Sequence, residues 1–206
     1  MLLTFFNPLI ILISSLLYGL SFSINTYFLD DFSHSLGISW IFLPAGLRLL
    51  LTLMFASSGA IGIAISSILI GIFFYFEGLV LGIGAGIISG LAPFLARYLA
   101  FKGMDLKTNL DTLSGPKLIN CILIYSLISP LLHQALFTAI NPDNPFLENL
   151  GVLIIGDLIY YFISPNFYTF IIRIDCYKCS TSNIYTTFSF SIYMPVSYTH
   201  LRAHET

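Results

Sequence analysis

The chain has 206 residues, of which 57% are hydrophobic and 9% are Asp, Glu, Lys or Arg, with a formal net charge of −2. So few charges cannot build the polar shell of a water-soluble domain this long, and a near-neutral balance gives no footing for a nucleic-acid partner. The class left is an all-α membrane protein, because its apolar runs are continuous rather than alternating and are long enough to cross the hydrocarbon as helices.

Six such runs follow one another, at about 8–28, 38–55, 60–76, 78–101, 116–140 and 149–167. Short loops join them, so residues 1–167 are expected to form one polytopic helix bundle. No basic leader or small-residue cleavage site precedes the first run, which is therefore expected to be retained as a span. Between the runs, Lys and Arg are confined to alternate gaps, and most of the acidic residues fall in the others. Asp30 and Asp31 follow the first run, Glu77 the third, and Asp143 and Glu148 the fifth. Arg97, Lys102, Lys107 and Lys117 cluster around the end of the fourth, and Arg173 and Lys178 follow the sixth. Under the positive-inside rule both termini lie in the cytoplasm and the acidic gaps face outward, as in a bacterial inner (plasma) membrane protein.

The second run contains Pro44 and Arg48. Pro44, Pro93 and Pro130 fall inside runs two, four and five, where each removes a helix hydrogen bond and is expected to kink its helix. In the fourth run Gly78, Gly82, Gly86 and Gly90 recur every four residues. They make a smooth stripe that admits another backbone, either a helix of the same bundle or a partner or second copy.

Ionisable groups at membrane depth are expensive and so mark candidate sites. Arg48 and Asp157 stand at similar depth from the acidic side, about ten and eight residues into their runs. They are expected to face inward, as a structural ion pair or as a ligand or proton site. His133, one turn past Pro130, is either a titrating group or a hydrogen-bonded core histidine. Arg97 lies close enough to the inner face to snorkel.

Nothing in the chain has the spacing of a catalytic motif. Ser57-Ser58 and Ser66-Ser67 lack a His or Lys base at helical spacing, and Gly82-Ile83-Gly84 belongs to a span rather than to a dinucleotide loop. His133 is followed by Gln134, which breaks the zinc-protease pattern. Cys176 and Cys179 have the C-x-x-C spacing but no second ligand pair, and Cys121 is a small packing residue inside the fifth run. No metal and no cofactor is expected, and the protein is expected to be non-enzymatic.

Beyond the sixth run the text loses its pattern. Residues 168–195 are rich in Ser, Thr, Tyr and Asn without period, which suits either a frameshift or chimaera or a ragged natural terminus. Residues 196–206, Val-Ser-Tyr-Thr-His-Leu-Arg-Ala-His-Glu-Thr, resemble a translated transposase-type sequencing adapter. His200 and His204 therefore carry no metal site.

Two stretches bear a family likeness. Trp40-Ile-Phe-Leu-Pro44-Ala-Gly46-Leu-Arg48, running on to Gly59-Ala-Ile-Gly62, resembles the Trp…Pro-Ala-Gly signature of the bacterial membrane-associated sensor domain. Gly156-Asp157 is similar to the Gly-Asp pair that closes that domain, so the resemblance spans residues 12–157. It implies an integral-membrane input module that signals through helix shifts to a cytoplasmic partner. The family has more spans than the six counted here, and no kinase or cyclase sequence follows. A transport component offers the alternative: six spans, a glycine stripe and kinked helices also resemble the substrate-binding subunits of energy-coupling vitamin importers. The expected partners are the lipid bilayer, a cytoplasmic signalling or energising protein and, through the glycine stripe, a second copy of the chain.

Overall fold

The computed structural model describes residues 7–35, 37–106, 110 and 113–163. Lys107, Arg173, Lys178, Cys176, Cys179, His200 and His204, with the segments 168–195 and 196–206, lie outside the described residues. Among the described residues five helices dominate: α1 (Pro8–Leu29), α2 (Pro44–Ile70), α3 (Leu79–Gly103), α4 (Gly115–Ile140) and α5 (Phe146–Ile163). A 3-10 turn (Asp30–Phe32) and a two-stranded antiparallel hairpin, β1 (Ser33–Ser35) with β2 (Ile38–Ser39), connect α1 to α2. A π-helical turn (Gly71–Tyr75) extends α2.

Among the described residues, four segments are long and apolar enough to cross a membrane: Pro8–Phe32, Pro44–Tyr75, Leu79–Gly103 and Gly115–Ile140. The runs expected at 38–55 and 60–76 fall for the most part in the second of them, and the run expected at 149–167, which gives α5, is not among the four. Pro44 does not kink a helix. It occupies the first turn of α2, where its missing N–H would have had no partner and its fixed φ suits helix initiation. The interruption in α2 is at Ala56 instead, with φ 49° and ψ −124°. The chain folds back there: a Cβ on Gly59 would strike the carbonyl oxygen of Leu51, eight residues earlier. In an uninterrupted helix those residues are about 12 Å apart along the axis.

Contacts fix the direction of each piece. Residues 44–55 run back along α1, with Leu43 N–H donating to Asn25 Oδ1 at 2.8 Å and Arg48 meeting Tyr18. Residues 57–70 run alongside α1 in its own direction. Asn7 N–H donates to Ser58 Oγ at 3.3 Å, Gly62 lies on Ile11 and Ser14, and Gly19 lies on Ser66. α1 begins at Asn7, whose side chain caps the Leu9 and Ile10 N–H groups. α3 returns against α2, α4 returns against α3, and α5 packs on α4 and on the start of α2.

The largest apolar cluster gathers Leu49, Leu53, Ala96, Ala100, Leu118, Cys121, Ile122 and Tyr125 from α2, α3 and α4. A smaller one places Tyr18 with Leu51 and Ile63. Outward faces carry exposed apolar side chains such as Leu9, Leu12, Leu16 and Leu20 of α1, as a lipid-facing surface requires. One end of the bundle collects the hairpin, the 71–79 connection and the α4–α5 loop, together with Asp30, Asp31, Glu77, Asp143 and Glu148. Lys102 and Lys117 lie at the opposite end, where Lys117 Nζ donates to the Met104 carbonyl at 3.1 Å.

Candidate functional site

A cavity of about 70 Å³ penetrates the acidic end between α1, α2, α3 and α4. Its rim includes the exposed residues Thr26, Asp30 and Ser33, and its inner end is made by the buried residues Arg48, Ser89 and His133. The walls between are largely aromatic. Phe22 meets Phe42 and Tyr75 edge to face, with centroids 6.3 Å and 5.4 Å apart, and Phe76 and Phe137 continue the lining.

Each polar group at the inner end is held by a different helix. Arg48, on the second turn of α2, is 6% exposed. Its Nη2 and Nε donate to the hydroxyl of the fully buried Tyr18 at 2.6 Å and 3.3 Å. The guanidinium carbon lies 4.8 Å from the centre of the Phe42 ring and 5.2 Å from that of Tyr18, a face-on geometry that favours a cation. His133 of α4 donates from Nδ1 to the Ser129 carbonyl at 2.8 Å, which leaves Nε2 facing the Ser89 hydroxyl of α3 at 3.4 Å. Pro130 lies between Ser129 and His133 in α4. Proline cannot donate to the carbonyl four residues back, and the freed turn lies where α4 lines the site.

A second chamber of about 40 Å³ adjoins the first, sharing Gly37, Ser39, Phe42, Arg48 and His133 with it. Ser129, Pro130, Leu153 and Asp157 complete its wall. Asp157 is 4% exposed and comes from α5, which approaches closely because Gly156 has no side chain: a Cβ there would strike the Ser39 carbonyl. Arg48 and Asp157 thus face inward on one chamber, but no ion pair within 4 Å joins them; the pair found among the described residues is His34 with Glu148, at 3.5 Å on the acidic surface.

The remaining candidates lie elsewhere. Gly82, Gly86 and Gly90 pack against α2 and its π-turn: Gly82 on Gly71, Gly86 on Ile68, and Gly90 on Ala60 and Ala64. That stripe is occupied by the chain itself. Gly78 caps α3 and has nothing near its Cβ position. Pro93 is buried inside α3, and Arg97 stacks 4.2 Å above the Phe101 ring near the basic end.

No protein-family model, curated protein or solved structure matches this chain. The chemistry of the site therefore rests on its own residues. Tyr18, Tyr75, Ser89 and Ser129 belong to it and were not singled out from the sequence. Hydroxyls inside apolar runs were the available signal, but Tyr18 and Ser89 find their partners on other helices and Tyr75 on the hairpin, and no spacing announces them.

Proposed function

We propose that the chain is a non-enzymatic membrane receptor of the sensor or input type, which takes a small molecule into this cavity and transmits its arrival through helix shifts to a cytoplasmic partner. One observation carries the reading. The two stretches that resemble the bacterial membrane-associated sensor domain, over a hundred residues apart, meet at the cavity. Gly156 lies on the Ser39 carbonyl, Tyr161 Oη donates to the Ala45 carbonyl at 3.4 Å, and Arg48 and Asp157 share a chamber. Of these stretches Phe42, Arg48 and Asp157 line the pocket, and side chains converging there from distant parts of the chain suit a ligand-sensing module.

Counting the pieces of α2 on either side of Ala56 separately supports a six-span topology for the described residues. With the basic end in the cytoplasm, both termini are cytoplasmic and the cavity opens outward, in a bacterial inner membrane. Helix α5 then leads from the ligand chamber to the cytoplasmic face, as an output helix would. Ser89 and His133 are placed as a nucleophile and a base would be. Their 3.4 Å separation, with a main-chain carbonyl rather than a carboxylate orienting the imidazole, suits a binding wall better than an activated serine.

The outward-facing cavity also favours a second reading, the substrate-binding subunit of an importer, with an energising partner at the basic end. Long-read sequencing of the locus across the codons for Asp157 to Pro195 and beyond separates the two. A corrected frame that continues into a kinase or cyclase supports the sensor. A stop soon after α5, beside genes for an energising ATPase, contradicts it in favour of transport.

A further inference from the structure

We infer that the chamber between Arg48 and Asp157 binds a small zwitterion, an α-amino acid with a short side chain, its carboxylate on the Arg48 guanidinium and its ammonium on the Asp157 carboxylate. The inference rests on the receptor reading above and names the ligand class for that site.

Two opposite charges are buried in the bundle yet not in contact. Arg48 and Asp157 are 6% and 4% exposed, both line one chamber of about 40 Å³, and no ion pair within 4 Å joins them. Taking two ions out of water is costly, and close mutual contact is the usual compensation. A pair whose purpose was to fix helix registry would close that gap. Here the gap is kept open by groups anchored elsewhere. Arg48 is tied to Tyr18 through Nε and Nη2, and Asp157 is set by the seating of Gly156 on Ser39.

The chamber wall carries Ser39, Ser129 and His133 beside the apolar Phe42, Pro130 and Leu153, and the two buried charges require an occupant that brings polar groups to them. An anion alone would leave Asp157 facing a second negative charge. A cation alone would place a second positive charge beside Arg48. A zwitterion satisfies both and leaves the buried net charge unchanged. The planar guanidinium suits a carboxylate, and three ammonium hydrogens suit the Asp157 carboxylate and a neighbouring hydroxyl. The chamber's size restricts the charged part to a short molecule, while the adjoining cavity offers its side chain the rings of Phe22, Phe42 and Phe137.

The test uses the purified full chain in lipid nanodiscs and calorimetric titration with glycine and alanine, then with acetate and methylammonium, singly and together. Saturable binding of glycine or alanine, with none of acetate or methylammonium at equal concentration, is the expected result. Arg48→Gln and Asp157→Asn should each weaken it about tenfold or more, the loss of one charged hydrogen-bonding partner. Because either variant can fail to fold, the wild-type comparison of amino acid with single-charge fragments decides alone. Acetate binding as tightly as glycine would overturn the zwitterion and leave an anion receptor. Binding by no probe, in a protein whose Ser39→Cys variant is thiol-labelled from solution, would overturn the zwitterion while the cavity stays open to other ligands. Absence of that labelling would overturn the receptor reading itself.

Discussion

Arg48 is the residue around which the interior is organised: a guanidinium at membrane depth whose direct partner is a phenol rather than a carboxylate. Its hydrogen bonds to Tyr18 hold it against the cavity, so Tyr18→Phe should destabilise the fold by about 1.5–3 kcal/mol, the worth of a hydrogen bond to a charged group, visible as a lower thermal midpoint in detergent. Gln134 presents the reverse case. It is fully buried, and neither its Nε2 nor its Oε1 has a partner. Gln134→Leu, which removes both unmet groups at similar volume, should raise the thermal midpoint; an unchanged or lower midpoint would mean that the amide is bonded in the membrane. Arg48, Asp157 and His133 were legible in the sequence because any ionisable side chain stands out in an apolar run. Tyr18 was not. An aromatic residue in a span is ordinary, and its partner lies 30 positions away on another helix.

At the scale of elements, α2 shows where apolar runs inform and where they do not. A weakly polar gap, Ala56-Ser57-Ser58-Gly59, separates two runs, and it is there that the backbone leaves helical geometry and turns back. The sequence offered Pro44 as the break because proline inside a run normally is one. Its position at the first turn reverses that expectation, since a proline disrupts a helix only where an N–H is needed. Ala56 pays for the turn with a positive φ that favours glycine, so Ala56→Gly should stabilise the protein by about 1 kcal/mol, read as a higher thermal midpoint. The glycine stripe was legible as a packing face, but its choice between an intramolecular and an external partner was not, because both need the same smooth surface. Its placement against α2 gives a graded expectation. Gly86→Leu drives a side chain into Ile68 and its backbone and should cost at least the 1–3 kcal/mol typical of overpacking. Gly78→Leu, facing open space, should leave accumulation in the membrane unchanged.

For the whole molecule, the confinement of inter-run Lys and Arg to alternate gaps becomes, among the described residues, a confinement to one end, where Asp105 lies beside them. Asp30, Asp31, Glu77, Asp143 and Glu148 gather where the cavity opens, and Lys102 and Lys117 stand at the other end. The cavity itself was not legible, because it arises from α1, α2, α3, α4 and α5 together and no single run encodes it. The proposed receptor requires that this cavity be open from the outer face of the membrane. The direct measurement is thiol labelling in intact cells with a small, membrane-impermeant methanethiosulfonate, on a background in which Cys121, Cys176 and Cys179 are replaced. Ser39→Cys, at the junction of the two chambers, should react from outside, and Lys102→Cys should react only after the membrane is permeabilised. Labelling of Lys102→Cys from outside with Ser39→Cys protected would contradict both the orientation and the outward-facing cavity.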